Sequence, residues 1–208
     1  MEKIIPFENK AEAQKVLDNG GRFYNILTDA DDGKIASAEM AAAAGVFSDK
    51  QKIWLYFELV TLKLTDSEKM LLVDQFSESL KKGYQDDRPD WLNVEQLVNY
   101  EASYKPIVLT GIPKKVNKKT ELKSFIMMPV STGSITSFNN VPIYESYQVY
   151  EIETETKDEQ ILIAHSDDMK VLPSKEIIYG GVLKQLAKEE QGEKRDEHFL
   201  EIIYYVEK

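Results

Sequence analysis

The chain has 208 residues, 42% of them hydrophobic and 30% charged, with a formal net charge of −10 and no cysteine. That is the balance of a foldable globular protein, long enough for one large domain or two small ones. The missing thiols exclude disulfide frameworks, thiolate zinc sites, iron–sulfur clusters and cysteine nucleophiles, and the acidic excess opposes non-specific contact with nucleic acid.

Residues 1–9 have no apolar run of the kind a secretion signal carries. No stretch approaches the roughly 18 apolar residues of a spanning helix; Ile53 to Phe57 is the densest, and Glu58 interrupts it. The expectation is a cytoplasmic protein with no membrane span.

The first hundred residues read as helices. Ala11, Val16 and Leu17 mark an amphipathic segment that Gly20–Gly21 ends, glycine being the residue that best adopts the left-handed conformation past a helix. Phe23, Tyr24, Ile26 and Leu27 form an apolar patch leading into an acidic turn, Asp29–Ala30–Asp31–Asp32–Gly33, and Ile35 to Ala44 is alanine-rich and helical. Ser48 with Gln51, and Thr65 with Glu68, have the spacing of a capping box. The helices predicted from these starts carry wide apolar stripes: Ile53, Trp54, Phe57, Val60 and Leu64 in one, and Met70 to Val73 with Phe76 in the other, closed by Gly83. Asp86 to Asp90 reads as an elbow, and a short helix from Asn93 to Ala102 follows.

The character changes after Tyr104. Lys105 to Ile112, Ser124 to Val130, Val141 to Thr154 and Gln160 to His165 are rich in β-branched and aromatic residues, with turns expected at Asn139–Asn140 and Lys157–Asp158. Residues 173–190 admit two readings. Ile178, Val182 and Leu186 are spaced as on a helix, but Gly180–Gly181 costs about 1 kcal/mol per glycine there and equally fits a kinked strand. Phe199 to Val206 is apolar on both parities, as a strand covered on both faces should be. The predicted class is therefore α+β: an all-helical bundle over residues 1–103, then a mainly antiparallel sheet domain over residues 104–208 with one possible helix.

Three features bear on chemistry. Asp29, Asp31, Asp32 and Glu39 surround Gly33 in a way that suggests a calcium loop. With Gly33 sixth and Glu39 twelfth, however, the first and third positions fall on Thr28 and Ala30, which lack carboxylates. The alternative is a helix end followed by an acidic first turn, favoured by the helix dipole. Asp-Gly, an Ile two residues later, a Glu four beyond that and then several helices of similar length make residues 22–82 similar to the helical domain of the tellurite-resistance TerB-like proteins. The resemblance implies an all-helical module of bacterial stress or membrane-associated systems. It also implies an acidic surface that holds divalent cations, with Asp31, Asp32 and Glu39 as the matching positions.

The second feature is basic. Lys105, Lys114, Lys115, Lys118, Lys119 and Lys123, opposed only by Glu121, give +5 over nineteen residues. Lys114, Lys115, Lys118 and Lys119 are the candidate contacts for an anionic ligand, nucleic acid or lipid. The absence of arginine forks and interleaved aromatics makes a solvated loop the plainer reading and nucleic acid an unexpected partner. Glu151, Glu153 and Glu155 share one strand face, which must be wet or opposed by these lysines.

The third is His165 with Asp167 and Asp168, at the end of a predicted strand where loop residues often act; a solvent-exposed strand end is the plainer alternative. Only two histidines exist, His165 and His198, so a three-histidine metal site is impossible. No catalytic constellation emerges. The leading expectation is a non-enzymatic binding or adaptor module with a protein partner and no cofactor, using its tyrosine-bearing sheet or helical groove; homo-oligomers are compatible with it. The alternative is a divalent-metal-dependent or hydrolytic enzyme using the acidic-turn carboxylates or His165 and Asp167.

Overall fold

The computed structural model describes residues 2–20, 28–46, 49–98, 100, 106–115, 124–132, 135–143, 147–153, 160–166, 171–190 and 193–208. Its helices are α1 (Lys10–Leu17), α2 (Ser37–Ala43), α3 (Lys50–Val60), α4 (Asp66–Asp74), α5 (Glu78–Asp87) and α6 (Val94–Val98). Its strands are β1 (Glu2–Lys3), β2 (Asp90–Leu92), β3 (Pro106–Gly111), β4 (Lys114–Lys115), β5 (Ser124–Thr132), β6 (Ile135–Ile143), β7 (Tyr147–Glu153), β8 (Gln160–Ser166), β9 (Ile177–Glu190) and β10 (Glu193–Glu207).

Helix starts follow local chemistry. Asn9 accepts from the Glu12 amide and caps α1. Thr65 and Glu68 make the expected reciprocal box on α4, and Asn93 and Gln96 satisfy each other's amides in the same way before α6. At α3 the cap is Asp49, which accepts from the Lys52 amide; Ser48 lies outside the described residues. The single helix predicted after Thr65 is two, because the chain leaves helical geometry at Phe76 to pair with Ile35. Gly83 does not close a helix but sits inside α5, where a Cβ would lie 3.0 Å from Trp54 Cζ2. The predicted elbow runs into β2, which lies parallel to β3.

The expected helical bundle followed by a mainly antiparallel sheet is corrected by the packing. One eight-stranded sheet runs β2-β3-β9-β10-β8-β7-β4, with β1 beside β10, and it is mixed: β1/β10, β10/β8 and β2/β3 are parallel. Among the described residues the helices form no separate N-terminal bundle. Ile53, Trp54, Leu55, Phe57, Leu59 and Val60 of α3 are all buried, which a helix needs when it has the sheet on one side and other helices on the other. Each large apolar side chain so buried contributes roughly 1.5–3 kcal/mol. Phe57, Phe76 and Tyr84 pack edge to face with centroids 5.1–6.1 Å apart and Trp54 beside them.

Within residues 173–190, readable as helix or strand, Ile177–Glu190 form strand β9, and the glycine pair explains why. At Gly180 a Cβ would lie 3.1 Å from both Leu55 Cδ2 and Leu59 Cδ1, so the glycine lets α3 approach the sheet. At Gly181 a Cβ would lie 2.4 Å from the Glu201 carbonyl oxygen. Opposite this pair the β10 register shifts between Ile202 and Tyr204, a bulge that inverts side-chain parity. Leu200 and Ile202 join one core while Tyr204 and Val206 join the α3 core on the other face. That is how Phe199 to Val206 comes to be apolar on both parities.

The face away from α3 is covered by Val94 and Leu97 of α6 and by Leu172. Here the sheet curls far enough for Gly111 of β3 to meet Ile152 of β7, four strands away; a Cβ at Gly111 would lie 2.8 Å from Ile152 Cγ2. Val141 to Thr154, expected as one strand, divides instead. β6 ends at Ile143, and β7 begins at Tyr147 in the large sheet. Asn139 and Asn140 are not a turn but pair with Met128 and Met127 inside the β5–β6 ladder; Lys157–Asp158 lies outside the described residues.

Candidate functional site

The acidic turn is built around a carboxylate that sequence reading passed over. Asp18, buried at the end of α1, accepts from the amides of Asp32 (3.2 Å) and Gly33 (2.8 Å), while its own carbonyl takes the Asp31 amide. Asp31 and Gly33 reach this geometry at φ of 59° and 79°. Glu39 is fully buried and accepts from Gly20 N (2.6 Å) and Ala36 N (2.7 Å). Burial pushes the Glu39 pKa up, and these two amide bonds pull it back. The turn's amides thus converge on internal carboxylates, an anion-binding arrangement, while Asp29, Asp31 and Asp32 are exposed. Among the described residues, no three His, Asp or Glu side chains come close enough together to hold a metal ion.

His165 is not at an exposed strand end. It is buried in β8, its ring stacked on Tyr150 of β7 with centroids 5.4 Å apart and Nε2 3.2 Å from the tyrosine oxygen. That phenol donates to Gln148 Oε1 at 2.9 Å and accepts from the Leu172 amide at 3.1 Å. Its single proton is therefore committed, and the histidine must supply its own Nε2 hydrogen. The group pins residues 171–172 onto the sheet. Asp167 and Asp168 lie outside the described residues.

Lys114 and Lys115 form β4, the outer strand of the sheet, opposite Glu151 and Tyr150 of β7. The expected opposition of lysine and glutamate is thus present in the register. Lys115 Nζ lies 3.5 Å from Gln148 Oε1. Lys118 and Lys119 are outside the described residues. Of the sheet's tyrosines, Tyr150, Tyr179, Tyr204 and Tyr205 are buried packing residues, and desolvation raises the pKa values of Tyr179 and Tyr204 well above the free phenol.

A second cluster also went unnoticed. The buried carboxylate of Glu58 accepts from Lys69, from the Tyr84 hydroxyl at 2.9 Å and from Trp91 Nε1 at 3.3 Å. It joins α3, α4, α5 and β2. Every oxygen is engaged, which makes it a structural tie.

What remains is β5 and β6. Residues 124–144 contain no charged side chain, although at the chain's average about six would be expected. Within them Ser124–Thr132 and Ile135–Ile143 pair as a two-stranded antiparallel sheet that, among the described residues, forms no ladder with the large one, with β5 running beside β9. The register places Ile126, Met128, Val130 and Val141 on one face, and Phe125, Met127, Pro129, Phe138 and Pro142 on the other. Strand chemistry was legible in the sequence; the signal that marks the pair as special is the missing charge.

No family model matches the chain, and no curated protein matches it. Among solved structures, the N-terminal domain of an archaeal MCM is similar at 11% identity and a TM-score of 0.35, over 83% of this chain and 84% of that one. A likeness at that level carries no argument.

Proposed function

We propose that the chain is a non-enzymatic binding or adaptor module whose contact element is the β5–β6 hairpin. The observation that carries this reading is that β5 and β6, which lie within an uncharged stretch of sequence, pair with each other as a separate two-stranded sheet. A lone two-stranded ribbon is marginal in water. This one has apolar residues at both parities of the register, and a ribbon of that composition is suited to completion by a partner.

Among the described residues, Asp18 and Glu39 take the acidic turn's amides and His165 stacks on Tyr150, which favours the binding reading over the enzyme alternative. Two experiments test the reading. Replacing residues 124–143 with a short Gly/Ser turn is expected to leave cooperative unfolding intact and to lower binding of a hydrophobic dye; loss of cooperative folding would make the hairpin part of the core and overturn it. Calorimetric titration with Ca²⁺, Mg²⁺ or Mn²⁺ is expected to show no stoichiometric heat, and a one-to-one isotherm would favour the metal-dependent enzyme.

A further inference from the structure

Independently of the hairpin, we propose that the edge of β2 is a docking site for a basic, extended peptide: the peptide adds as a strand beside β2 and lays an arginine or lysine on the ring of Trp91. Three observations point to this occupant. The first is the edge. β2 ends the strand path of the large sheet, with β3 on one side and, among the described residues, no strand on the other. An open edge is a template for another chain, whose alternate side chains then read the surface.

The second is the tryptophan. Trp91 is 48% exposed, whereas Trp54, the chain's other tryptophan, is 3% exposed. The exposed indole is tied down: its Nε1 donates at 3.3 Å to Glu58 Oε2, the oxygen that also takes Lys69. A buried carboxylate thus holds a large aromatic ring at the surface. A ring already fixed loses little freedom on binding, and its face attracts cations, guanidinium most often.

The third is the charge beside it. Residues 84–93 hold Asp86, Asp87 and Asp90 against Arg88 alone. Asp86 and Asp87 stand at the end of α5, the pole where the helix dipole is already negative, and the last turn of α5 has no basic residue. Tyr84 donates to the other oxygen of Glu58 at 2.9 Å, so the end of α5 and Trp91 are held to one carboxylate. Asp87 follows Tyr84 by three residues, which puts the two on the same side of the helix. This surface repels an anionic partner and draws in a cationic one.

The full chain is titrated with a fluorescein-labelled peptide that alternates arginine and valine. Two control peptides accompany it, one with glutamate in place of arginine and one with alternate backbone nitrogens methylated so that it cannot pair as a strand. Anisotropy is expected to show binding of the unmodified arginine peptide alone, and that peptide should shield Trp91 emission from acrylamide. Trp91→Leu should weaken binding about fivefold, the factor a surface contact between cation and ring supplies. Asp86→Asn with Asp87→Asn should weaken it about threefold and flatten its salt dependence. No binding overturns the proposal. So does equal affinity for the methylated peptide, which would remove the strand. Undiminished binding by Trp91→Leu overturns it too, marking general attraction to an acidic protein. Because Trp91→Leu also takes a donor from Glu58, acrylamide quenching of the unsubstituted chain decides if that variant does not fold: a Trp91 as accessible with bound peptide as without it overturns the proposal.

Discussion

Glu58 shows how a single buried side chain holds the helices to one another. Its carboxylate has three donors from three elements, and Glu58→Ala leaves all three without their acceptor. Breaking a buried pair costs about 3–5 kcal/mol. Lys69 keeps some solvent contact, so the lower end of that range is expected, with a melting temperature lower by roughly 6–12 °C. Urea denaturation of the variant checks it; a loss under about 1 kcal/mol would show that water replaces the carboxylate without cost. Glu39 makes a milder case at the acidic turn: glutamine has one acceptor oxygen where the carboxylate serves two amides, but burial already disfavours the Glu39 charge, so Glu39→Gln should cost less than about 1 kcal/mol at neutral pH. The acidic-turn pattern marked Glu39, but neither Glu58 nor Asp18 was found by motif. Glu58 looked like an interruption in an apolar run, and Asp18 like the unremarkable end of a short helix, because a carboxylate's partners are set by tertiary packing.

At the scale of elements, local chemistry was readable and partnership was not. The Thr65–Glu68 box, the helices at 37–43 and 50–60 and the final strand follow from capping and periodicity. The sheet order does not, since β1 and β2 are two and three residues long and have no periodicity to detect. They bring residues of the expected helical region into the sheet as parallel neighbours of β10 and β3. The capping box has a pH signature. Hydrogen bonds from Thr65 hold the Glu68 carboxyl below its ordinary value of 4.5, so its stabilisation is present above pH 4.5 and is lost as pH falls through the folded value. Glu68→Gln should therefore be less stable than the parent at neutral pH, with the gap closing on acidification. Glu39, raised above 4.5 by burial, runs the other way: its contribution is greatest below 4.5 and declines as pH rises through the folded value. The β9 glycines give a sharper test. Gly180→Ala should cost about 1–3 kcal/mol by pressing on Leu55 and Leu59. Gly181→Ala, which meets the Glu201 backbone, should cost more. An equal effect at both sites would contradict the bulge geometry.

Across the whole molecule, charge is divided rather than averaged. A segment of +5 and an uncharged hairpin lie next to each other in a chain whose remainder carries −15. The composition alone suggested an ordinary acidic protein. The contact element we propose lies where the average breaks down, in a strand pair that, among the described residues, forms no ladder with the eight-stranded sheet. That separation is the central claim, and native-state amide hydrogen exchange measures it. Amides of β5 and β6 are expected to open at a free energy well below that of global unfolding, while those of β9 and β10 around Gly180 and Leu200 exchange only when the whole chain unfolds. Equal protection of the hairpin and the sheet core would contradict it.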